Sequence, residues 1–282
     1  MLKSPPDFII AGAPKAGSSL LYELLRQHSE IKMSVGKEPN IYLNNWGNDI
    51  TEYQFEGVSL NQLKGEATVG YFNNRDVPQR IYKTNPKTKL IFCLRNPIDR
   101  TYSHYWHGVK GMYEKRSWEN IIEQEINFDE YLFSHSLYNT NINHFLEYFS
   151  VKNIHFFILE DYEREGVSIL NKTLSFLGVK DVSHNLIQTS EIINKGKTYK
   201  NVWLQTLLNW FKTNKRFVPK YVRKQLSNQY DYIKKANETE IPNSTLTEKH
   251  RKMLMSLFSD EVKKLSKTFS IEFSWEDFRK VY

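Results

Sequence analysis

Between Phe8 and Leu25 the chain passes from an apolar run through a glycine-spaced turn into an amphipathic run, and few folds accept that succession. Phe8 to Ala13 is apolar, interrupted only by Gly12, and Leu20, Leu21, Leu24 and Leu25 fall on one helical face. The spacing predicts a strand, a tight loop and a helix, the opening unit of a parallel α/β sheet. Backbone N–H groups at the start of such a helix lack intrahelical acceptors and sit at the positive end of its dipole. The loop therefore suits an anion.

The loop is close to the pattern that cradles nucleoside triphosphates, which runs Gly, four residues, Gly, Lys, Ser/Thr. Gly12 and Gly17 keep the spacing, and Ser19 stands where the hydroxyl belongs. Ser18 takes the lysine position, and the loop's one cation, Lys15, moves to the middle of the turn. A triphosphate with its metal needs that lysine and an acidic metal holder. A displaced lysine followed by two hydroxyls suits a smaller anion held without metal.

A second junction points the same way. Lys89 to Leu94 reads as a short buried strand, and it ends in Arg95 rather than in an aspartate that would hold magnesium. Asn96 is a good helix cap, Pro97 fits the first helical position, and Asp99 complements the dipole. Arg95 thus falls at the carboxyl end of a strand, where open α/β sheets bind ligands. Ser103 and His107, four apart, share a face of the following helix.

Four apolar runs, Phe8–Ala13, Leu63–Ala67, Lys89–Leu94 and Ile154–Leu159, are expected as parallel strands with helices between them. Ser168 to Leu177 and Thr247 to Phe269 read as amphipathic helices, the latter capped by Thr247. The fold class expected is α/β, a P-loop-type parallel sheet flanked by helices, with a C-terminal helical, basic segment. One domain is expected over residues 1–282, with a core of about 7–200 and a lid and C-terminal segment of about 201–282. From Val202 to Asn237 the chain is dense in Lys, Arg, Trp and Tyr and broken by Pro219, either a lid or a solvated basic face.

The net charge of +7 attracts polyanions, although no nucleic-acid motif accompanies it. Cys93 is the single cysteine, so no intrachain disulfide forms, which fits a reducing compartment. The amino terminus leads straight into the first strand and no apolar run spans a bilayer. A soluble cytoplasmic protein, of bacterial origin, is expected. The 17 Tyr and 17 Phe fill the core by default, although polar-edged aromatics also make walls for sugar rings. Among Tyr42, Trp46, Tyr71, Tyr105 and Trp106, about two are expected to stack on an acceptor.

Pro14-Lys15-Ala16-Gly17-Ser18-Ser19 resembles the 5′-phosphosulfate loop of sulfotransferases that use PAPS (3′-phosphoadenosine 5′-phosphosulfate). Arg95-Asn96-Pro97 through Tyr102-Ser103 resembles their 3′-phosphate motif, and Lys195-Gly196-Lys197-Thr198-Tyr199 their late basic segment. Gly36-Lys37-Glu38-Pro39, Gly65-Glu66-Ala67-Thr68 and Tyr71 are similar to the glycan-modifying branch, the heparan sulfate N- and 3-O-sulfotransferases. The paired cysteines of the animal enzymes around the Lys-Gly-Lys segment are missing. The resemblance implies PAPS as donor, PAP as product, no metal, and a carbohydrate-like or small-molecule acceptor with no nucleic-acid partner. It implies that Lys15, Ala16, Gly17, Ser18 and Ser19 hold the phosphosulfate and Arg95 and Ser103 the 3′-phosphate. Lys195, Gly196 and Lys197 complete that shell. Lys15 would offset charge on the bridging oxygen, and Glu38 is the expected base, with His107 as its rival. Two other readings stay open: a P-loop kinase or other NTP-dependent phosphotransferase, and an inactive fold that binds an acidic polymer through Lys212 to Lys235.

Overall fold

The computed structural model describes residues 4–48, 54–123, 131–182, 197–199, 204, 208, 232–233, 235–240 and 246–279. These fall into two compact units. The first comprises residues 1–104, 125–193 and 247–282, and the second residues 105–124 and 194–246.

The first unit is built on five strands: β1 (Phe8–Ile10), β2 (Ile31–Met33), β3 (Leu63–Ala67), β4 (Lys89–Leu94) and β5 (Ile154–Ile158). Their order is β2-β3-β1-β4-β5 and every pairing is parallel. β1 is buried along its whole length, as are the last five residues of β4. A parallel strand covered on both faces needs a continuous apolar run rather than an alternating one. β2 escapes sequence reading because it is only Ile-Lys-Met, at the sheet edge.

Two expected strands are shorter than their apolar runs. β1 ends at Ile10 because Gly12 turns to a φ of 123°, although Ala11 and Ala13 still donate to the carbonyls of Ile91 and Cys93 at 3.0 and 2.8 Å. β5 ends at Ile158 because Leu159 already opens a helix.

Among the described residues the helices are α1 (Ser18–Arg26), α2 (Val77–Thr84), α3 (Pro97–Gly111), α4 (Trp118–Glu123), α5 (Tyr131–Ser134), α6 (Tyr138–Leu146), α7 (Leu159–Glu165), α8 (Val167–Leu177) and α9 (Glu248–Phe269). α1 packs on β2 and β3, α8 on β5, and α9 along α6. The hydroxyl of Thr247 caps α9 by accepting from the N–H of His250 at 3.2 Å. Trp275 folds back and is buried, stacked on Phe273 with ring centres 4.2 Å apart.

Under the carboxyl end of the sheet lies an aromatic cluster. Phe72 meets Phe92 of β4 and Tyr138 of α6 edge to face, and Phe92 meets Phe145 at 4.9 Å. Each such ring, taken fully out of water, contributes about 1.5–3 kcal/mol. The cluster forms the floor on which the loops above it rest.

The second unit holds the end of α3, all of α4, and an antiparallel pair, β6 (Lys197–Tyr199) with β7 (Glu238–Glu240). Within it Tyr105 packs on Trp118 at 5.2 Å and donates its hydroxyl to the carbonyl of Arg116. Most of the basic stretch from Val202 to Asn237 lies outside the described residues. Among those described, no helix is long and apolar enough to cross a membrane.

Candidate active site at the carboxyl end of the sheet

The loop after β1 is shaped by two glycines. Gly12 has φ 123°, and a Cβ there would meet Phe72 Cβ at 2.6 Å. Gly17 has φ 91° and occupies the cap position of α1 without a side-chain hydrogen bond. Both positions favour glycine, because other residues reach this left-handed region only at a cost. Lys15, half-buried, also has a positive φ, 64°.

Among the described residues the backbone N–H groups of Ala16, Gly17, Ser18 and Ser19, and the hydroxyls of Ser18 and Ser19, have no hydrogen-bond partner. No acidic residue stands in the first turn of α1. Ser18 is buried, so the N–H beside it forgoes much of the water that would otherwise satisfy it. Such a set is satisfied by an anion.

Arg95 follows β4, the strand next to β1. Ile10 is opposite Ile91, and the N–H of Cys93 donates to the carbonyl of Gly12 at 2.6 Å, so loop and arginine leave the same end of adjacent strands. The backbone around Arg95 is fixed on every side. Tyr138, from the aromatic floor, donates its hydroxyl to the Arg95 carbonyl at 2.7 Å. Asn96 caps α3 by accepting from the N–H of Ile98 at 3.0 Å, and its own N–H donates to Glu160 at 2.8 Å. The guanidinium itself, half-buried, has no hydrogen bond or ion pair among the described residues. Ser103, two turns into α3, is half-buried and its hydroxyl is also unpartnered among them.

Glu38 reaches this end of the sheet from the segment after β2. Its N–H donates to the carbonyl of Ala67 at 2.9 Å, and its Oε2 accepts from the N–H of Val69 at 3.0 Å. Oε1 pairs with Lys37 Nζ at 2.7 Å. The carboxylate is thereby oriented by two donors while its side chain remains 36% exposed.

Glu66, missed as a site residue by sequence reasoning, lies just beneath. It faces Ile9 across the β1–β3 ladder and is fully buried. Oε2 accepts from the Thr68 hydroxyl at 2.8 Å, while Oε1 accepts no hydrogen bond among the described residues. Burial pushes its carboxyl up from 4.5 to about 8, against the Thr68 hydrogen bond and reinforced by the Glu38 charge. A carboxylate in the buried second half of a central parallel strand, next to Ala67, was the signal.

Glu66 gives the fold a distinctive pH response. Between pH 4.5 and about 8 the folded chain keeps a proton that the unfolded chain has released. Its contribution to stability is therefore complete below pH 4.5 and lost as pH rises through about 8. Glu66→Gln keeps an acceptor for Thr68 and removes the titration. Denaturant unfolding is expected to show the variant more stable than the parent by on the order of 3 kcal/mol at pH 8.5 and close to it at pH 4.5. A constant difference between the two pH values would contradict a buried neutral acid.

Of the remaining expected residues, none of His107, Lys195, Gly196 and Lys197 is brought to this end of the sheet by a described contact. His107 is exposed, its ring 6.2 Å from Tyr113, and belongs to the second unit, as α3 crosses from one unit to the other. Lys195 and Gly196 lie outside the described residues, and of Lys197 only its position at the start of β6 is described. Of the five aromatics expected mainly in the core, Tyr42, Tyr71 and Tyr105 are buried and Trp106 is half-buried. Trp46 is 39% exposed and carries the Arg80 guanidinium 5.8 Å from its ring centre.

Comparison with known proteins adds the family to this geometry. Human heparan sulfate glucosamine 3-O-sulfotransferase 3B1 is 27% identical over 191 residues, covering 64% of this chain and 48% of that protein. The membrane-associated sulfotransferase kil1 of Dictyostelium discoideum is 30% identical over 131 residues, 43% of this chain and 28% of that protein. This chain thus spans about half the length, or less, of these curated relatives. The crystal structure of a sulfotransferase from Alicyclobacillus acidocaldarius shares the fold, with a TM-score of 0.63 at 23% identity, covering 96% of this chain and 98% of that one. Residues 5–266 match the family described as the sulfotransferase domain, and the chain belongs to that family.

Proposed function

We propose that this protein is a metal-independent sulfotransferase that takes PAPS as donor and sulfates a hydroxyl or amine of a carbohydrate-like acceptor. The observation that carries the reading is the pair of donor sets at the ends of β1 and β4 that have no hydrogen-bond partner among the described residues. Loop N–H groups stand at one and the Arg95 guanidinium at the other. Two anion sites on neighbouring strands suit a nucleotide bearing phosphate at both ends. A kinase would want a metal-holding carboxylate at the end of β4, where this chain has Leu94 and Arg95.

When bound, the donor supplies an activated phosphosulfate. The protein's own work is to hold, orient and move a proton. Ala16, Gly17, Ser18 and Ser19 grip the 5′ end and Arg95 and Ser103 grip the 3′-phosphate; the sequence resemblance assigns Lys195, Gly196 and Lys197 to the same cofactor. Lys15 offsets negative charge at the loop. Glu38 accepts the proton of the acceptor group, and the Val69 N–H holds its carboxylate in place. Glu38 is preferred to His107 because its carboxylate is fastened to the end of β3 within the same unit as the loop and Arg95.

The curated relatives named for heparan sulfate support a sugar acceptor, and exposed Trp46, shortly after Glu38, offers an apolar face to one. A cytoplasmic bacterial setting fits the lone buried thiol of Cys93. Acidic-polymer binding through Lys212 to Lys235 rests on residues that lie mostly outside the described ones.

The test uses the purified protein with labelled PAPS and a panel of carbohydrate acceptors, alongside thermal shift with PAP and with ATP plus magnesium. PAP alone is expected to raise the melting temperature, since a ligand at a hundred times its Kd adds about 2.7 kcal/mol. Stabilisation by ATP–magnesium but not by PAP would overturn the reading.

A further inference from the structure

We propose that Arg251 is a positioning residue that keeps the Arg95 guanidinium open to an anion by holding neighbouring carboxylates away from it. The inference rests on Arg95 as the 3′-phosphate ligand and adds a residue more than 150 positions away. A half-buried guanidinium next to carboxylates normally pairs with them, because partly desolvated charges attract strongly and Arg matches carboxylate geometry. Here Asp99 stands in the first turn of α3, four residues after Arg95. The two charges feel each other: Arg95 favours the ionised form of Asp99, second to Arg251 in doing so, although burial outweighs both and the net shift is upward. The Arg95 charge acts on Glu160 in the same sense.

Each of these carboxylates is nevertheless engaged elsewhere. Asp99 Oδ1 accepts from Arg251 Nη2 at 2.6 Å. Asp277 Oδ2 accepts from Arg251 Nη1 at 2.7 Å and from Asn96 Nδ2 at 2.6 Å. Glu160 accepts from the N–H of Asn96 at 2.8 Å and from Trp275 Nε1 at 3.1 Å. Arg251 bridges two of the three, with its side chain and those of Asp99 and Asp277 only 21–30% exposed. It is firmly placed for this. Its N–H donates to the carbonyl of the capping residue Thr247 at 3.0 Å, and Asp277 follows buried Trp275 in a short 3-10 turn. A guanidinium on α9 thus occupies the carboxylates that would otherwise neutralise the one at the end of β4.

The test is calorimetric titration with PAP and with adenosine 5′-phosphate, which lacks the 3′-phosphate. Arg251→Met releases Asp99 toward Arg95, and PAP affinity is expected to fall about tenfold while adenosine 5′-phosphate changes less than about twofold. Adding Asp99→Asn to Arg251→Met removes the competing charge and is expected to restore most of the lost PAP affinity. A merely structural role would not give that rescue. Arg251→Lys, which can hold one carboxylate but not fork between two, is expected to fall in between and replaces the methionine variant should that fail to fold. Equal losses for both nucleotides, no loss for PAP, or no rescue by Asp99→Asn overturns the inference. A PAP preference that survives Arg95→Ala overturns the Arg95 assignment itself, and the role of Arg251 with it.

Discussion

Glu38→Gln is expected to lower kcat for sulfate transfer by about a thousandfold while leaving PAP affinity within about twofold, since a positioned general base contributes roughly 10²–10⁴ in rate. The substitution is conservative where it should be. The amide oxygen can still accept from the Val69 N–H, which now holds Glu38 Oε2 at 3.0 Å, so the backbone of the segment keeps its anchor. What disappears is the ability to take a proton, together with the Lys37 ion pair. That pair is partly exposed and is worth little to stability by itself. The loss therefore belongs in kcat rather than in folding or nucleotide binding. Steady-state kinetics with matched calorimetry checks this. A variant that keeps more than a tenth of parental kcat would remove Glu38 from the role of base, and the same measurement on His107→Ala would then decide its rival.

Arg95→Ala should raise the Kd for PAP about a hundredfold, equivalent to about 2.7 kcal/mol. Charge-assisted hydrogen bonds from a guanidinium to phosphate are among the stronger polar contacts, and here the group is half-buried with no protein partner among the described residues. Because no ion pair is broken, the free protein loses little, and its melting temperature is expected to stay within a few degrees of the parent. Adenosine 5′-phosphate affinity should barely change. A similar loss for both nucleotides would mean that Arg95 supports the adenosine site as a whole and does not select the 3′ end.

The elements legible in the amino-acid sequence are those whose signal is local. β1 and β4 announce themselves because strands covered on both faces read as apolar runs, β3 and β5 give shorter, mixed runs, and α9 is marked by Thr247 at its start and a clean helical period along its buried stripe. The anion loop is legible for the same reason: Gly12 and Gly17 serve conformations set within six residues. β2 is too short to carry a period. Arg100 is less accessible to such reading. It looks like a surface charge of the helix after Arg95, yet it is fully buried, bonded to the Ser136 hydroxyl at 2.5 Å and to the carbonyl of Leu132. Thr101 and His104 contact it locally, but Ser136 and Leu132 lie 36 and 32 residues away, as the partners of Arg251 lie 26 and 152 away. No spacing rule joins groups brought together only by tertiary packing. Glu66 stands between the two cases, since its strand was legible and its charge there was the anomaly.

The direct backbone bonds of Cys93 to Gly12 and Ala13 carry a further implication. The two halves of the proposed nucleotide grip are coupled through the ladder of β1 and β4, whereas the segment bearing Glu38 and Trp46 hangs from the other flank, through Ala67 and Val69. On the proposed reading, residues 39–48, beyond Glu38, can be exchanged without disturbing the spacing that measures the donor, which makes that stretch the natural graft point for changing the acceptor.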